Sequence, residues 1–361
     1  MKILAINDSP LNTGVGEYVN ILYDAMNQSP VQFRLLNLKF VDGNYWKGET
    51  IDMRRFTGNV KNTGVTINRM VAATLGRIDL RNYDYDIIHA TALSVPLFLK
   101  QRPDFVTVHH LNPLLGSPFY SRTTRYATKM AANRSAKWST LIVMSNFMRD
   151  LIRKYVSLDA AVHVVYPYYN VRVTQTPEIK MNARSNLGIP QSAKVIIAVG
   201  TSAPIKNFLT LYNAVRGKDY YVLRVGGWRE EEVKTFRWDI PEQVHFLSEK
   251  EKVPDSKVLQ AYLASDVLVF TSVDEGFGRP LVEAMTVGLP VIGNRCTTVP
   301  EIIGDAGILV KDPYNSSEIS SALQRVFSDI ETYAEKSRER RRMFDKKIFV
   351  QQMKEIYESK K

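Results

Sequence analysis

The sequence contains a single cysteine, Cys296, among 361 residues. One cysteine excludes an intramolecular disulfide, and no Cys/His cluster with metal-ligand spacing surrounds it. No apolar run approaches the roughly 18–20 residues that are needed to span a bilayer. The first residues, MKILAIND, have the pattern of a strand and lack the long apolar stretch of a signal peptide. We therefore expect a cytoplasmic protein that is soluble or peripheral to a membrane.

The chain also has few acidic residues in its first half. Residues 1–170 carry 20 lysines and arginines against 12 acids, and residues 171–361 carry 28 against 25. The net charge is +11. A positive electrostatic field attracts nucleic acid, phosphorylated substrates and anionic lipid alike, so the charge alone does not identify the partner.

Short β-branched runs alternate with longer segments of helical period, which is typical of parallel sheets with helices on both faces. The clearest strands are KILAIN, DIIHAT, DFVTVHH, STLIVMS, KVIIAVG, YYVLRVGG, VHFLS, DVLVFTS, LPVIGN and GILVKD. Two such series predict two Rossmann-like domains. The stretch YPYYNVRVTQTPEIK has neither period and predicts a linker near residue 170. Residues 321–357 are predicted to be helical.

The most informative motif follows the strand DVLVFTS. Glu275, Gly276, Phe277 and Gly278 lead into a helix with Pro280 in its first turn. Glycines leave the backbone N–H groups of the helix start open, which favours an anion such as a diphosphate. Two carboxylates, Glu275 and Glu283, stand around this start with seven residues between them. Carboxylates accept hydrogen bonds from hydroxyls, so we expect Glu275 on a transferred sugar and Glu283 on a ribose. The alternative is a helix cap at Glu275 and a solvated Glu283.

A second glycine loop, with Gly14 and Gly16, follows the first strand and begins a helix. Small residues there allow close approach of a substrate to the backbone. A dinucleotide fingerprint is disfavoured because Val19 occupies the third glycine position and no acid stands near residue 37.

The stretch from Asp274 to Asp312 resembles the retaining glycosyltransferases of family four, and in particular their mannosyltransferase-type members. The resemblance extends over NTGVGEYVNIL, VTVHHLNP, VMSNFMRDLI, VGTSAPIKNFLTLYNAV, VGGW and VHFLS. It implies the GT-B fold, in which two Rossmann-like domains with parallel sheets face each other across a cleft. The implied domains are residues 1–170 for the acceptor, residues 171–340 for the nucleotide-sugar donor, and a helix over 341–361 that crosses back to the first domain.

The resemblance also implies roles for single residues. His109 would hydrogen-bond the donor sugar near the reaction centre, while His110 replaces an Asp that is common in relatives and has no inherited role. Lys206 would stabilise the charge that develops on the diphosphate. Many relatives have Arg before this lysine, where this chain has Ile205.

Another cation would have to compensate for Ile205, either Arg224 or Arg279, and we favour Arg279 because it adjoins the glycines. The implied catalytic residues are His109, Lys206 and Glu275. The implied donor-binding residues are Gly14, Gly16, Lys206, Asn207, Gly276, Phe277, Gly278, Arg279 and Glu283.

No metal or other cofactor is expected. Asp84-Tyr85-Asp86 matches the D-x-D pattern of metal-dependent glycosyltransferases of the other large fold, but it precedes the strand IIHAT. Acids on that side of a strand are normally solvated turn residues. The resemblance suggests retention by front-side displacement, which needs no enzymic nucleophile.

The segment SRTTRYATKMAANRSAKW has no acidic residue. Its cations, Arg122, Arg125, Lys129, Arg134 and Lys137, form a candidate membrane or acceptor surface. Helical spacing predicts Arg122, Arg125, Lys129 and Ala132 along one side. A basic helix with aromatic residues can lie on an anionic lipid surface. The alternatives are a plain solvated helix and a site for a phosphorylated soluble acceptor. The run Arg338, Arg340, Arg341 and Arg342 could add to the same surface.

Three functions remain open. The first is a hexosyltransferase, with mannose favoured, that uses a nucleotide sugar and a lipid-linked or glycan acceptor on the inner face of the cell membrane. The second is a transferase for a soluble sugar or sugar phosphate. The third is a non-catalytic protein on the same fold that binds sugar nucleotides. Nucleic acid is not expected as a partner.

Overall fold

The computed structural model describes residues 1–11, 13–40, 46–53, 77–116, 118–171, 173–227, 240–247 and 253–360. The chain divides into two units. The first unit comprises Met1–Tyr168 together with Asp345–Lys361, and the second comprises Tyr169–Phe344.

The first unit contains a seven-stranded parallel sheet in the order β3-β2-β1-β4-β5-β6-β7. Its strands are β1 (Lys2–Asn7), β2 (Gln32–Lys39), β3 (Glu49–Asp52), β4 (Ile87–Ala90), β5 (Phe105–Val108), β6 (Thr140–Val143) and β7 (Val162–Val164). Its helices are α1 (Gly14–Met26), α2 (Arg122–Trp138), α3 (Asn146–Tyr155) and the C-terminal α11 (Lys346–Glu358). Two short 3-10 helices cover Val95–Phe98 and Asn112–Leu115.

The second unit contains a six-stranded parallel sheet in the order β10-β9-β8-β11-β12-β13. Its strands are β8 (Val195–Val199), β9 (Tyr221–Val225), β10 (Val244–Phe246), β11 (Val267–Phe270), β12 (Val291–Asn294) and β13 (Gly307–Val310). Its helices are α4 (Pro177–Leu187), α5 (Phe208–Val215), α6 (Asp255–Ala264), α7 (Arg279–Val287), α8 (Val299–Ile303), α9 (Ser316–Ser328) and α10 (Ile330–Arg340). Short 3-10 helices cover Pro204–Lys206 and Arg341–Phe344.

The central strands of both sheets are buried along their whole length. Every residue of β4, β5, β11 and β12 is buried. Continuous apolar runs are what parallel strands need when helices cover both faces. The two Rossmann-like parallel α/β domains expected from the sequence are thereby confirmed, and the ten strand motifs all coincide with observed strands.

Three parts of the fold differ from the sequence-based expectation. Strands β2 and β3 were not among the predicted strands; β2 pairs with β1, and β3 pairs with β2. The linker was drawn too long, because α4 already begins at Pro177, where the Thr176 side chain accepts a hydrogen bond from the Ile179 N–H. The helical end of the chain is three helices, interrupted at Asp329 and again before Lys346.

Candidate active site

The loop between β11 and α7 has the geometry that its glycines predicted. Gly278 has a φ of +88° and stands at the N-cap of α7. A Cβ at Gly278 would lie 3.1 Å from Leu281 Cδ1, so the left-handed conformation and the close packing both favour glycine. No side chain caps this helix start. The positive end of the helix dipole favours an anion at this helix start.

The Lys206 ammonium and the Glu275 carboxylate form an ion pair, with 2.5 Å between Nζ and Oε1. Their side chains are only 17% and 16% exposed. The lysine stem lies against Gly200, where a Cβ would come within 3.3 Å of Cε. The Thr271 hydroxyl donates to the Lys206 carbonyl over 2.7 Å and joins the loops that carry the two residues. The structure therefore brings together one cation and one carboxylate from loops 69 residues apart in sequence.

Glu283 lies inside the second unit and is only 3% exposed. One of its carboxylate oxygens accepts a hydrogen bond from the Tyr262 hydroxyl at 2.7 Å, and the other accepts from Arg279 Nε at 2.5 Å. Burial and the adjacent carboxylate raise the pKa of Tyr262 well above its usual value. This geometry excludes the alternative of a solvated Glu283. It also shows that Arg279 is engaged by a carboxylate rather than extended towards solvent.

Two other residues considered for the donor, Asn207 and Phe277, have contacts that support the loops. The Asn207 amide donates to the Pro313 carbonyl at 2.7 Å, and its oxygen accepts from Thr210. Asn207 also has a φ of +49° at the start of α5. The Phe277 ring is 7% exposed and packs edge-on against Phe344.

Arg224, the other cation considered as a substitute, is 1% exposed. Its guanidinium donates to the Val225 carbonyl and lies 3.8 Å from the centroid of the Phe208 ring. A guanidinium on an aromatic face is a favourable buried arrangement. Arg224 thus supports the interior of the second unit, and Arg279 is the more exposed of the two, with 37% of its side chain accessible.

In the first unit, the N-terminal loop leaves room for a side chain at Gly14 but not at Gly16. A Cβ at Gly16 would lie 2.0 Å from the Pro10 carbonyl oxygen, whereas one at Gly14 would meet nothing within 4 Å. Thr13 caps α1 by accepting from the Gly16 N–H at 3.1 Å. Gly16 is therefore required by the packing of the loop on α1, and Gly14 leaves the beginning of α1 uncovered.

His109 follows β5 at the carboxyl edge of the first sheet. Its Nε2 lies 2.7 Å from the Thr91 carbonyl oxygen, and its ring is edge-on to Tyr18, with 5.0 Å between ring centroids. A carbonyl only accepts, so Nε2 carries the proton and Nδ1 is the acceptor nitrogen. Burial lowers the pKa of His109 to about 4. The residue is therefore a neutral imidazole at physiological pH.

Sequence reasoning missed a carboxylate beside this histidine. Asp8, 1% exposed, follows β1 and accepts hydrogen bonds from the hydroxyls of Ser9 and Ser94. Its charge acts against the effect of burial by raising the pKa of His109. The position of Asp8 after β1 could have identified it, because β1, β4 and β5 are neighbours and the residues that follow them meet at one edge of the sheet.

Asp84 and Asp86 lie at the opposite edge of the same sheet. Asp84 forms a 2.6 Å ion pair with the Lys2 ammonium, and Asp86 accepts from the Lys2 N–H at 2.8 Å, at the first residue of β1. Within the residues that the structure describes, no group of three or more His, Cys, Asp or Glu side chains could hold a metal ion.

The exposed side of α2 differs from the expected one. Ala132 is buried at 1% exposure, and Arg125 donates to the Gly116 carbonyl at 3.0 Å. Helix residues that share a buried stripe, Ala127, Thr128, Ala131, Ala132 and Ser135, turn the opposite side outward. The outward side carries Arg122, Tyr126, Lys129, Met130, Lys137 and Trp138.

Trp138 ends this surface within a group of cations. The guanidinium carbons of Arg102 and Arg134 lie 4.4 and 5.2 Å from its ring centroid, and the Lys137 ammonium lies at 5.9 Å. Burial, together with the charges of Arg77 and Arg102, lowers the pKa of Arg134. We call Arg122, Tyr126, Lys129, Met130, Lys137 and Trp138 the basic face of α2.

The arginine run near the C-terminus belongs to the second unit, whereas α2 belongs to the first. Arg340 donates to the carbonyls of Glu301 and Ile302 at the end of α8. Arg341 donates to the Thr286 carbonyl at 2.7 Å, near the end of α7. Carbonyls at helix C-termini lack partners within the helix and attract cations, which explains this arrangement.

Residues 180–343, within the second unit, match the family model described as Glycosyl transferases group 1. The O-antigen chain mannosyltransferase B of Escherichia coli is 33% identical over 142 residues, or 36% of this chain and 36% of that protein. The D-inositol 3-phosphate glycosyltransferase of Corynebacterium glutamicum is 28% identical over 203 residues, or 51% of this chain and 48% of that protein. The matched stretches thus span about a third to a half of these relatives.

Solved structures with the same fold cover the whole chain. A sucrose-phosphate synthase from Thermosynechococcus elongatus has a TM-score of 0.82 at 18% identity and covers 99% of both chains. HepE from Anabaena, solved in complex with UDP-glucose, has a TM-score of 0.74 at 19% identity and also covers 99% of both. The second unit thus resembles group 1 glycosyltransferases, and the solved structures share the fold of the chain. Among the helices in the described ranges, none is long and apolar enough to cross a bilayer.

Proposed function

We propose that this chain is a retaining glycosyltransferase that moves a hexose, with mannose favoured, from a nucleoside diphosphate sugar to a lipid-linked or glycan acceptor at a membrane surface. The observation that carries the proposal is the Lys206–Glu275 pair beside the uncapped start of α7. It joins a cation for a diphosphate, a carboxylate for sugar hydroxyls and the positive end of a helix dipole in one unit. The mannosyltransferase relative supports mannose as the sugar.

In this proposal the second unit holds the donor. The start of α7 and Lys206 bind the diphosphate, and Arg279 supplies the second cation after exchanging its contact with Glu283 for one with the ligand. Glu275 accepts hydrogen bonds from the transferred sugar, and Glu283 accepts from the ribose. Each exchange replaces an ion pair within the protein by contacts to the substrate, so the loop geometry is set before the donor arrives.

The chemistry proposed is front-side displacement. The bond between the anomeric carbon and the diphosphate oxygen breaks, the acceptor oxygen bonds to that carbon on the same face, and the acceptor proton passes to the leaving phosphate oxygen. The protein contributes cations for the charge that develops on the leaving group. His109, a neutral imidazole, offers Nδ1 as an acceptor for a hydroxyl of the donor sugar.

The cations of the site make a metal ion unnecessary in this proposal. Transfer should therefore persist in excess EDTA. Loss of transfer in EDTA that manganese or magnesium restores would show that the diphosphate charge is balanced by a metal instead.

A transfer assay tests the proposal. Purified full-length protein is given GDP-mannose, UDP-glucose or UDP-GlcNAc with membrane extracts or detergent-solubilised lipid acceptors, and incorporation of labelled sugar is measured. Lys206→Met should abolish transfer, while Lys336→Met, an exposed lysine of α10 in the same unit, should not. Equal activity of the two variants would remove Lys206 from the mechanism.

The names of relatives also favour a second acceptor class, because one of them acts on D-inositol 3-phosphate. The assay separates the two classes by adding inositol phosphates and sugar phosphates without membranes or detergent. Transfer to these soluble compounds, with no stimulation by membranes, would replace the membrane acceptor in the proposal.

The membrane part of the proposal rests on the basic face of α2. Tyr126 is 65% exposed, Met130 44% and Trp138 38%, alongside the outward cations. Aromatic and apolar side chains can enter the headgroup region, and each cation near an anionic surface contributes about 1 kcal/mol. An anionic membrane surface would bring the first unit close to a lipid-linked acceptor.

Cosedimentation with vesicles of increasing anionic lipid content tests this surface. Arg122, Lys129 and Lys137 are replaced together by Glu, and the control replaces Lys257, Arg325 and Lys336, three exposed cations of the second unit, by Glu. Both variants change the net charge equally. We expect binding at low salt to be lost only in the first. Equal loss in both, or no binding by the unmodified protein, would leave α2 as a solvated helix.

A further inference from the structure

A buried chain of polar side chains crosses the first unit from α11 to α1. The Tyr357 hydroxyl lies 2.7 Å from His89 Nδ1, and His89 Nε2 lies 2.8 Å from Thr107 Oγ1. Thr107 Oγ1 donates to the Tyr18 hydroxyl oxygen at 3.4 Å. All four side chains are at most 3% exposed.

The chemistry of these groups fixes the direction of the chain. Thr107 has one hydroxyl proton and uses it on Tyr18, so it must accept from His89, which places the His89 proton on Nε2. Nδ1 is then an acceptor, and the Tyr357 hydroxyl donates to it. Burial lowers the pKa of His89 to about 3, so the ring stays neutral and the direction is kept across physiological pH.

The chain ends at the residue that holds His109. The Tyr18 ring is edge-on to His109 at an interplanar angle of 82°, and it also contacts Phe349 of α11 at 6.4 Å. The His109 ring is thus held on one side by the Thr91 carbonyl and on another by Tyr18. Tyr18 in turn is held by α11 through Phe349 and through the hydrogen-bond chain.

We infer that Tyr18, Thr107, His89 and Tyr357 are positioning residues for His109, so that packing of α11 on the first unit sets the orientation of this histidine. The functional part of this inference rests on the proposed role of His109 at the donor sugar. The positional part does not, because it concerns contacts within the first unit. Tyr357 of α11, 248 residues beyond His109 in the sequence, would then contribute to the reaction without touching a substrate.

The central variants are Thr107→Val, which removes the hydroxyl with little change in shape, and Thr107→Ser, which keeps it. Tyr357→Phe removes a single oxygen at the far end of the chain. Tyr168→Phe is the matched control, because Tyr168 is a buried tyrosine that also packs on Phe349 but donates to the Ile21 carbonyl, outside the chain.

Two measurements follow on the full-length protein. Nitrogen-15 spectra of the five histidine rings report the tautomer, the ring shifts and the titration of each histidine, independently of activity. We expect Thr107→Val and Tyr357→Phe to move the His109 signals, while Thr107→Ser and Tyr168→Phe leave them in place. In transfer assays the first two should lower kcat about tenfold, because small displacements near reacting atoms are costly. KM for the donor should stay within about twofold.

The possible outcomes test the positional part and the functional part of the inference separately. Unchanged His109 signals in both Thr107→Val and Tyr357→Phe, or equal changes in Tyr168→Phe, would overturn the inference. Moved signals with unchanged kcat would contradict the functional part alone. If no protein shows transfer, the proposed function fails, and the ring spectra still decide whether the chain positions His109.

Discussion

Replacing Glu275 by glutamine should tighten the binding of a free nucleoside diphosphate while lowering the rate of sugar transfer. In the structure the Glu275 carboxylate holds the Lys206 ammonium at 2.5 Å, with both side chains largely buried. A diphosphate that binds Lys206 must compete with this carboxylate and is also repelled by it. Glutamine keeps the size of the side chain and removes both effects.

The magnitude follows from the strength of the contact that the ligand displaces. Hydrogen bonds to charged groups contribute about 1.5–3 kcal/mol, and about 1.4 kcal/mol corresponds to a factor of ten in Kd. The amide oxygen of glutamine still accepts from Lys206, so we expect the lower end, about a tenfold decrease in Kd. The same substitution should lower kcat, because glutamine binds the hydroxyls of the transferred sugar less strongly than a carboxylate does.

Isothermal titration with UDP and GDP measures the first effect, and the transfer assay measures the second. Glu331→Gln is the control, because Glu331 also pairs with an arginine of the second unit, Arg338, but its side chain is 71% exposed. The control should change neither quantity. Weaker or equal nucleotide binding by Glu275→Gln would refute the competition between Glu275 and the diphosphate.

Three further predictions concern stability. Gly16→Ala should destabilise the first unit by several kcal/mol in urea unfolding, because its Cβ would lie 2.0 Å from a carbonyl oxygen. Gly14→Ala should be neutral or stabilising by up to about 1 kcal/mol. Equal effects of the two substitutions would contradict the packing described for the loop. Glu283→Gln should destabilise the second unit by about 1–3 kcal/mol, since it weakens one buried and one partly buried hydrogen bond, and an unchanged midpoint would count against it. Burial lowers the pKa values of His89 and His109 to about 3 and about 4, so the stability that their neutral forms contribute is present above pH 6.5 and lost as the pH falls towards 4. The slope approaches 1.4 kcal/mol per pH unit for each histidine, and a level free energy of unfolding from pH 6.5 to 4.5 would contradict the assignment.

The fold was predictable because the central strands are short, continuous and apolar. Runs such as IIHA in β4 and VLVF in β11 are buried on both sides, which only a covered parallel sheet provides. The missed strand β2 reads QFRLLNLK, in which polar residues interrupt the apolar run, and the four-residue β3 lies at the edge of the sheet. Neither has a pattern that distinguishes it from a loop.

The positions of the candidate site residues were predictable, but their partners were not. Loops at the carboxyl ends of parallel strands are found from the strands themselves, which located Lys206 and Glu275. That these two side chains pair depends on the three-dimensional approach of β8 and β11, which are adjacent in the sheet but distant in sequence. The burial of Glu283 against Tyr262 and the proximity of Asp8 to His109 depend on such approaches as well.

The outward side of the basic helix α2 was also not predictable from the sequence. Its charge and its helical character were evident, but the expected outward side included Ala132, which is buried. The buried stripe of Ala127, Ala131 and Ala132 decides which side packs on the sheet. Since several adjacent small residues could form such a stripe, sequence spacing alone did not choose between them.

The central claim is that the second unit binds the diphosphate of a nucleotide sugar through Lys206. Isothermal titration of the full-length protein with GDP-mannose, UDP-glucose, UDP-GlcNAc and their free nucleoside diphosphates tests it most directly, with Lys206→Met and Lys336→Met titrated in parallel. We expect saturable binding of at least one sugar nucleotide and of its nucleoside diphosphate, lost in Lys206→Met and kept in Lys336→Met. Binding that survives Lys206→Met unchanged, or no binding of any of these compounds by the folded protein, would contradict the claim.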